Sequence, residues 1–307
     1  MPPALSVVVV THDMGRELPR TLRSLAGDYQ RGVSEDDYEV LVVDNGSPAP
    51  VDPDLLEGFP GSIRSTRLEP APESPAKAAN LGISMAHGQL VGLLIDGARI
   101  ASPGLLSTAL LGARLAAQPV VATLGWHLGA TSHMAATEVG YDQAVEDRLL
   151  AECDWEEDGY RLFARSTLAG SSGRGWFGPL GESNALFLTR ETWEALGGLD
   201  EGFALPGGGL VNHDLLRRAC ELPGSQLVIL LGEGTFHQIH SGASTSGRIT
   251  RDEAGIEYER LRGRPYAPPT DDPLYVGRVP ASALEHMAYS VRWATKSRGS
   301  GSRSAGD

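Results

Sequence analysis

Short apolar segments alternate with segments of helical period in the amino-terminal part of the chain. Residues 5–10, 40–43 and 90–95 are rich in Val, Leu and Ile, with almost no polar residues among them. Such runs are typical of strands that are buried on both faces of a sheet. Residues 74–87 lie between two of these runs and open with Ser-Pro, which suits the start of a helix. The sequence therefore predicts an α/β domain with helices on both faces of a mostly parallel sheet.

The carboxyl-terminal half of the chain is less regular. Residues 170–181 are rich in Gly and Ser and predict a long loop, a feature that is often functional in compact domains. We expect one domain over residues 1–245, a helical extension over 246–295 and a disordered tail over 296–307, which is rich in Ser, Gly and Arg. The remaining predicted strands are 63–68, 120–124, 184–188 and 227–231. The remaining predicted helices are 18–25, one starting at Ser102-Pro103, 190–196, 212–221, 251–261 and 281–293.

The charge balance excludes several classes of partner. Lys and Arg total 26 against 39 Asp and Glu, so the formal net charge is -13. Affinity for nucleic acid or anionic lipid requires a basic face, so we expect neither partner. The two cysteines, Cys153 and Cys220, have no disulfide or metal-type spacing, which favours a reduced, cytoplasmic setting. No segment approaches the ~20 apolar residues of a transmembrane span, and residues 5–10 are too short for a signal peptide.

Polar residues follow several predicted strands at the points where those strands end. Asp44 ends the second strand and Asp96 the fourth. Parallel sheets bind their ligands at the carboxyl ends of the strands. A single Asp at such a position is often only a turn cap, but two at one edge of a sheet favour a binding site. The candidate residues at this edge are Thr11, His12, Asp13, Asp44, Asn45, Asp96, Gly97 and Arg99.

Six short segments carry a resemblance to a known family. They are SVVVVTHD at 6–13, VVDNGS at 42–47, AANLGI at 78–83, LIDGAR at 94–99, ESNAL at 182–186 and LGGLDE at 196–201. Each segment alone is a weak signal. Their order and spacing together resemble family 2 of the glycosyltransferases over residues 4–240.

The resemblance implies a GT-A fold, which is a Rossmann-like α/β fold with a mixed, mostly parallel sheet. It implies a hexosyltransferase that moves a sugar from a nucleotide-diphosphate-sugar donor to a hydroxyl of a glycan, a lipid-linked molecule or a small molecule. The family mostly inverts the anomeric carbon, and the sequence leaves the oligomeric state open. The implied nucleotide-sugar contacts add Lys77 and Asn80 to the strand-end residues, and the acceptor-side residues are Trp176, Phe177, Glu182 and Asn184.

One departure from the family concerns the metal site. The family's D-x-D motif has a second carboxylate where this chain has Ala98. We expect Asp96 to bind Mn²⁺ or Mg²⁺ together with His237 or His240, because carboxylate oxygen and imidazole nitrogen suit these ions. Two alternatives stay open. Arg99 replaces part of the metal's charge, or the two histidines belong to a polar loop without metal.

A second departure concerns the general base. The family's Glu-Asp pair is matched only loosely by Asn212-His213-Asp214. We predict Asp214 as the catalytic base, because its carboxylate can accept the proton of the acceptor hydroxyl. If Asn212 occupies the base position instead, an amide cannot accept a proton at neutral pH. A neutral His213 is then the other proton acceptor in this segment.

Two rival functions remain on the sequence alone. A nucleotidyltransferase would want a Gly-rich, basic loop after the first strand, and the segment THDMGR at 11–16 is a poor match to that. A non-catalytic nucleotide- or carbohydrate-binding homologue is kept open by Ala98 and Asn212. Turnover of a nucleotide sugar would discriminate between an enzyme and a binding module.

Overall fold

The computed structural model describes residues 2–130, 140–240 and 249–301, with side chains described through residue 296. Strands β1–β10 are Leu5–Thr11, Tyr38–Asp44, Ser62–Arg67, Leu90–Ile95, Arg99–Ala101, Gln118–Leu128, Ser166–Leu168, Ala185–Thr189, Ser225–His237 and Leu274–Gly277. Helices α1–α9 within these residues are Leu18–Ser24, Pro53–Glu57, Ala76–Met85, Leu105–Gly112, Gln143–Cys153, Arg190–Leu196, Val211–Glu221, Arg251–Arg262 and Leu284–Gly301.

The strands form one mixed, mostly parallel sheet, in the order β10-β9-β6-β8-β4-β1-β2-β3. Strand β8 runs antiparallel to both of its neighbours, whereas the other pairs along this path are parallel. Short strands β5 and β7 attach to β9 and β6. The predicted α/β fold is confirmed, and the apolar runs of β1, β2 and β4 are buried throughout their length.

Register brings the ends of three parallel strands to one edge of the sheet, here called the carboxyl edge. Thr11 pairs with Asp44, and Val10 pairs with Ile95, the residue before Asp96. Helix α3 packs directly on β1 and β2, because Gly82 has no side chain at the contact. A Cβ at this position would lie 2.4 Å from Val8 Cγ1. The sheet thus holds the strand-end residues in fixed relative positions.

Several elements differ from the sequence prediction. Strand β9 continues to His237 instead of ending near residue 231, because its glycine-rich second half pairs with both β6 and β5. Helix α4 begins at Leu105, not at Ser102, because the Ser102 hydroxyl donates to Glu233 Oε2 at 2.5 Å instead of capping the helix. Helix α5 and strand β10 were not predicted. No helix in the described ranges has the length and apolar character to cross a membrane.

The carboxyl-terminal part of the chain is joined to the main sheet. Strand β10 pairs with β9 at the sheet's edge, so this extension is not purely helical as predicted. Helix α9 continues to Gly301, past the predicted start of the tail at residue 296. Residues 302–307 of that tail, and the predicted boundary at 245, lie outside the described residues. The division into domains therefore remains a prediction.

Candidate active site

Asp96, His237 and His240 meet at the carboxyl edge although they come from distant parts of the chain. Asp96 follows β4, and two strands of the sheet separate β4 from β9. The chain crosses this gap through β5, which leaves the end of β4 and pairs with β9 so that Arg99 lies opposite His237. This crossing places Asp96 beside the end of β9, where His237 and, three residues later, His240 lie.

The three side chains form a compact set of ligand atoms. Asp96 Oδ2 lies 3.4 Å from His237 Nε2 and 3.5 Å from His240 Nε2, and the two Nε2 atoms are 3.0 Å apart. Ligand atoms at about 2.1–2.2 Å from one divalent ion are themselves roughly 3.0–3.5 Å apart in octahedral or tetrahedral coordination. One carboxylate and two imidazoles also match the donor preferences of first-row metals. The residues present therefore fit a divalent cation.

The surroundings of these three side chains shift their pKa values. Burial lowers the pKa of His237 to about 3, so its imidazole is neutral and can offer a lone pair. Burial lowers the pKa of His240 as well, but the hydrogen bond with Asp96 and the charge of Asp96 outweigh it and leave the pKa raised. Burial raises the pKa of Asp96, yet Arg99 and His237 hold it well below the usual range, so the carboxylate is ionised.

Arg99 lies in the interior beside Asp96. The residue is 8% exposed. Its Nε donates to the Ile95 carbonyl at 2.7 Å and lies 3.7 Å from Asp96 Oδ1. Such a position lets Arg99 balance the charge of Asp96, but it does not present the guanidinium openly to a nucleotide as the sequence predicts. His127 was missed by the sequence. It pairs with His237 across β6 and β9, with the two ring centroids 5.5 Å apart, and only the extension of β6 beyond residue 124 would have revealed it.

The second strand end forms a tightly bonded turn. Asp44 is 3% exposed, and its carboxylate accepts hydrogen bonds from the Ser47 amide and hydroxyl and from Arg67 Nη1. Arg67 was not predicted, although it ends β3 directly beside Asp44 in the register. The Asn45 side chain is also buried and donates to the Pro72 carbonyl at 3.0 Å. The turn thus presents an ordered pair of opposite charges at the edge.

The loop after β1 covers this turn. His12 and Asp13 are exposed, whereas Thr11 is 2% exposed and lies against Gly97, where a Cβ would come within 2.9 Å of Thr11. The His12 ring contacts the Asn45 carbonyl at 2.9 Å, and the Asp13 amide donates to the Ser47 hydroxyl. His12 and Asp13 are therefore accessible to a ligand at this edge, whereas Thr11 shapes the loop.

Two predicted residues of helix α3 occupy different environments. Lys77 is exposed at the first turn and carries no ion pair within the part of the chain that the structure describes. Asn80 instead holds the turn after α6: its amide accepts from the Leu199 N–H and donates to the Leu199 carbonyl and to Glu201 Oε1. The amide of Asn80 is thus engaged by protein, which corrects its prediction as a nucleotide contact.

The acceptor-side residues divide into two groups. Glu182 and Asn184 lie just before β8. Because Ala185, the first residue of β8, pairs with Leu94, Glu182 and Asn184 lie at the carboxyl edge beside Asp96. Trp176 is fully buried, and its indole N–H donates to the Leu230 carbonyl, so it cannot stack on a sugar as predicted. Phe177 packs against Tyr275, which pairs with Ile229 near the opposite end of β9. The prediction of these two aromatic residues was wrong because both pack in the protein's own hydrophobic clusters.

Asp214, the predicted base, is buried in an ion-pair cluster. Its side chain is 1% exposed. Oδ1 accepts from Arg262 Nε at 2.5 Å, and Oδ2 accepts from Arg262 Nη2 and Arg218 Nε, both at 2.7 Å. A carboxylate whose two oxygens are bound by two guanidinium groups has no accessible lone pair for a substrate proton. The prediction that Asp214 is the catalytic base is therefore corrected: it is a structural anchor between α7 and α8.

The amino-terminal third of the chain is similar to a known family. The model described as glycosyl transferase family 2 matches residues 6–107. Residues 6–107 are therefore similar in sequence to family 2 glycosyltransferases. The matched region holds β1, β2, β4 and the Asp96 segment, so the resemblance is confirmed for the four of the six segments that lie within it. A search of curated proteins finds no significant match.

Solved structures of glycosyltransferases share the fold. S. aureus TarS 1–349 has a TM-score of 0.50 at 14% identity, over 84% of this chain and 66% of that one, and its structures include complexes with UDP and UDP-GlcNAc. The mannosyltransferase PcManGT from Pyrobaculum calidifontis, solved in complex with GDP-Man and Mn²⁺, has a TM-score of 0.50 at 16% identity, over 100% of this chain and 77% of that one. The chain spans less than two thirds of TarS 1–349 and 43% of the longer TarS chain. These likenesses confirm the GT-A fold.

The departure from the D-x-D motif has a structural counterpart at Ala98. Ala98, in place of the second carboxylate of the D-x-D motif, is fully buried in the core, so no side chain at that position faces a metal. The two histidines at and after the end of β9 supply donor atoms that the motif lacks. The carboxyl edge thus combines one carboxylate of the motif with two imidazoles from β9 and the segment after it.

Proposed function

We propose that the chain transfers a sugar from a nucleotide-diphosphate-sugar donor to a hydroxyl acceptor, with a divalent metal bound by Asp96, His237 and His240. The observation that carries this proposal is the compact triangle of one carboxylate oxygen and two imidazole nitrogens at the carboxyl edge. An α/β sheet binds nucleotides at this edge. The family 2 match over residues 6–107 supports the same reaction class.

The donor is held on the β1–β2 side of the site in this proposal. Asp44 and Arg67 offer an acceptor and a donor of hydrogen bonds side by side, which suits the edge of a nucleobase. A chain of net charge -13 repels an anionic donor at long range, so local positive charge is required. The metal site and Lys77 supply it. Structural neighbours have been solved with UDP, UDP-GlcNAc and GDP-Man, and we extend only the class of donor to this chain.

The ligand set favours Mn²⁺ over Mg²⁺, because two of the three donors are imidazole nitrogens and Mg²⁺ prefers oxygen. When bound, the metal stabilises the negative charge that develops on the departing diphosphate. His237, His240 and the ionised Asp96 would be the residues that hold it. Arg99 balances the remaining charge of Asp96 from the interior.

We further propose inversion at the anomeric carbon. Single displacement needs one general base on the acceptor side and no covalent intermediate. Glu182 and Asn184 occupy that side, beside Asp96 and across the edge from Asp44.

The experiment is an assay for release of nucleoside diphosphate from a panel of nucleotide sugars that includes UDP-GlcNAc and GDP-Man, in Mn²⁺ and in EDTA. We expect turnover of at least one donor in Mn²⁺ and its loss in the Asp96→Asn variant. Tight binding of a donor without turnover in any condition would instead identify a non-catalytic binding homologue.

A further inference from the structure

Glu182 and His213 form a carboxylate–imidazole pair on the acceptor side, and we infer that His213 is the general base and that Glu182 positions it. The inference rests on the proposed glycosyl transfer. His213 Nδ1 lies 3.5 Å from Glu182 Oε2, and each side chain is 20% exposed. The two residues come from separate elements, the segment before β8 and the first turn of α7.

Both elements meet at the carboxyl edge. Glu182 lies three residues before Ala185, which pairs with Leu94, and Asp96 lies two residues after Leu94 on the antiparallel neighbour. The start of α7 reaches the same edge because the Gly207 amide donates to the Glu73 carbonyl, just before α3 begins. The pair is therefore built next to the segment that holds Asp96.

The His213 ring has a nitrogen available for a hydrogen bond to Glu182. His213 Nδ1 is buried and has no hydrogen bond among the described residues, so a short movement of Glu182 would satisfy it. The Tyr266 ring packs perpendicular to the imidazole with centroids 5.0 Å apart, and its hydroxyl donates to the Gly181 carbonyl, next to Glu182. Tyr266 thus contacts both sides of the pair. With Nδ1–H directed at Glu182, Nε2 carries the lone pair that can accept a proton.

The other side chains of this segment are unsuited to the role. Asp214 is bound by Arg218 and Arg262 on both oxygens. Asn212 carries an amide, which does not accept protons at neutral pH. His213 is therefore the proton acceptor that the first turn of α7 presents.

The acceptor hydroxyl loses its proton to His213 Nε2, which becomes imidazolium beside the Glu182 carboxylate. The acceptor oxygen forms a bond to the anomeric carbon, while the bond from that carbon to the diphosphate oxygen breaks. The electron pair of the broken bond leaves with the nucleoside diphosphate. The imidazolium then releases its proton to solvent.

The test uses whichever donor the wild-type protein turns over, with release of nucleoside diphosphate as the assay. His213→Gln should lower kcat by about 10²–10⁴-fold, the usual contribution of a general base, while donor affinity measured by calorimetry stays within a few-fold. Glu182→Gln should lower kcat by about tenfold and move the acidic limb of the pH–kcat profile to lower pH, because a neighbouring carboxylate favours the imidazolium. Tyr266 packs against the His213 ring and Arg217 lies one turn further along α7, and both stay unchanged in these variants.

His87→Gln, at the opposite edge of the sheet, serves as the matched control and should leave kcat unchanged. A folded His213→Gln variant with kcat within a few-fold of wild type would overturn this inference alone. If Glu182→Gln lowers kcat as much as His213→Gln does, and the pH profile does not shift, Glu182 is the base instead. That result would overturn the assignment. A wild-type protein that turns over no donor would overturn the proposed function together with it.

Discussion

Asp96 and Asp214 are both ionisable groups that the sequence marks as functional, yet the structure gives them opposite surroundings. Asp214 is 1% exposed and accepts from two arginines through both oxygens. Asp96 is 25% exposed, and its Oδ2 faces two imidazole nitrogens at 3.4 and 3.5 Å. One carboxylate is saturated by fixed cations, whereas the other is surrounded by groups that can themselves bind a metal.

The difference shows what decides the role of a buried carboxylate. Two guanidinium groups and a side-chain exposure of 1% leave the Asp214 carboxylate inaccessible to substrate, so we expect its effect to be on stability. The two imidazoles beside Asp96 carry nitrogens that could bind the same metal as its carboxylate, so we expect the effect of Asp96 to be on binding. A variant at each position should therefore change a different measurement.

The largest expected effect is that of Asp96→Asn on metal-dependent binding. The amide removes the anionic ligand, so the gain in nucleoside-diphosphate affinity that Mn²⁺ provides should disappear. Turnover should fall by at least about 10³-fold, since the departing diphosphate loses its stabilising charge. Calorimetry in EDTA is the internal control, where the variant should bind no more weakly than wild type. A folded variant that keeps its response to Mn²⁺ would remove Asp96 from the site.

Asp214→Asn should destabilise the fold by about 3–5 kcal/mol, because it leaves Arg218 and Arg262 without a buried anion. Urea denaturation measures this change, and turnover per folded molecule at low temperature should stay within a few-fold of wild type. Asp200→Asn is the matched control: Asp200 also binds Arg262, at 2.8 Å, but is 35% exposed, so its cost should stay below about 1 kcal/mol. A loss of turnover of 10²-fold or more in stably folded Asp214→Asn would restore Asp214 as the base.

A third carboxylate, Glu233, sharpens the comparison because its bonded partners are neutral. It accepts from Ser102, Tyr160 and the Gly104 amide, and burial raises its pKa from 4.5 to about 7. The folded state therefore binds a proton that the unfolded state has already released between about pH 4.5 and 7. Its contribution to stability is full below pH 4.5 and is lost as the pH rises to about 7.

Glu233→Gln should flatten this fall in the free energy of unfolding, which amounts to on the order of 3 kcal/mol across the window. Glu146, whose pKa burial also raises to about 7, should leave part of the slope in place. Urea denaturation at pH 5 and pH 7.5 measures the slope, with Glu253→Gln, an exposed helix-capping residue, as the control that should not change it. An unchanged slope in Glu233→Gln would contradict the assignment.

The smallest expected effect is that of Lys77→Ala. An exposed ammonium near a diphosphate is screened by water and salt, so donor affinity should fall only about three- to tenfold, and less at high ionic strength. Lys296, the other lysine of the chain, provides a matched control in Lys296→Ala. Equal donor affinities in both variants at low salt would place Lys77 outside the donor site.

The sequence predicts most of the fold, because the local residue pattern of most elements matches their burial in the folded protein. The apolar runs of β1, β2 and β4 and the exact span of α6 follow from composition and turn residues. The end of β9 did not follow, since the glycine-rich segment from Gly232 becomes a strand only through pairing with β6 and β5.

The site was predictable where register alone decides it, and not where side-chain contacts decide it. Asp44 and Asp96 share an edge because their strands are parallel. The burial of Trp176 and the arginine pairing of Asp214 depend on α8, α9 and β9, which lie far away in sequence. Sequence spacing carries no information on these long-range contacts, although it does suggest the Arg218–Asp214 pair, which is i,i+4 within α7.

The most direct test of the central claim is calorimetric titration of UDP and GDP into the wild-type protein in Mn²⁺ and in EDTA. If Asp96, His237 and His240 hold a metal that binds the diphosphate, at least one nucleotide should bind about tenfold or more tightly in Mn²⁺. His237→Ala and His240→Ala should each reduce that gain. Equal affinities in Mn²⁺ and EDTA for both nucleotides would contradict the account and assign the stabilising charge to Arg99.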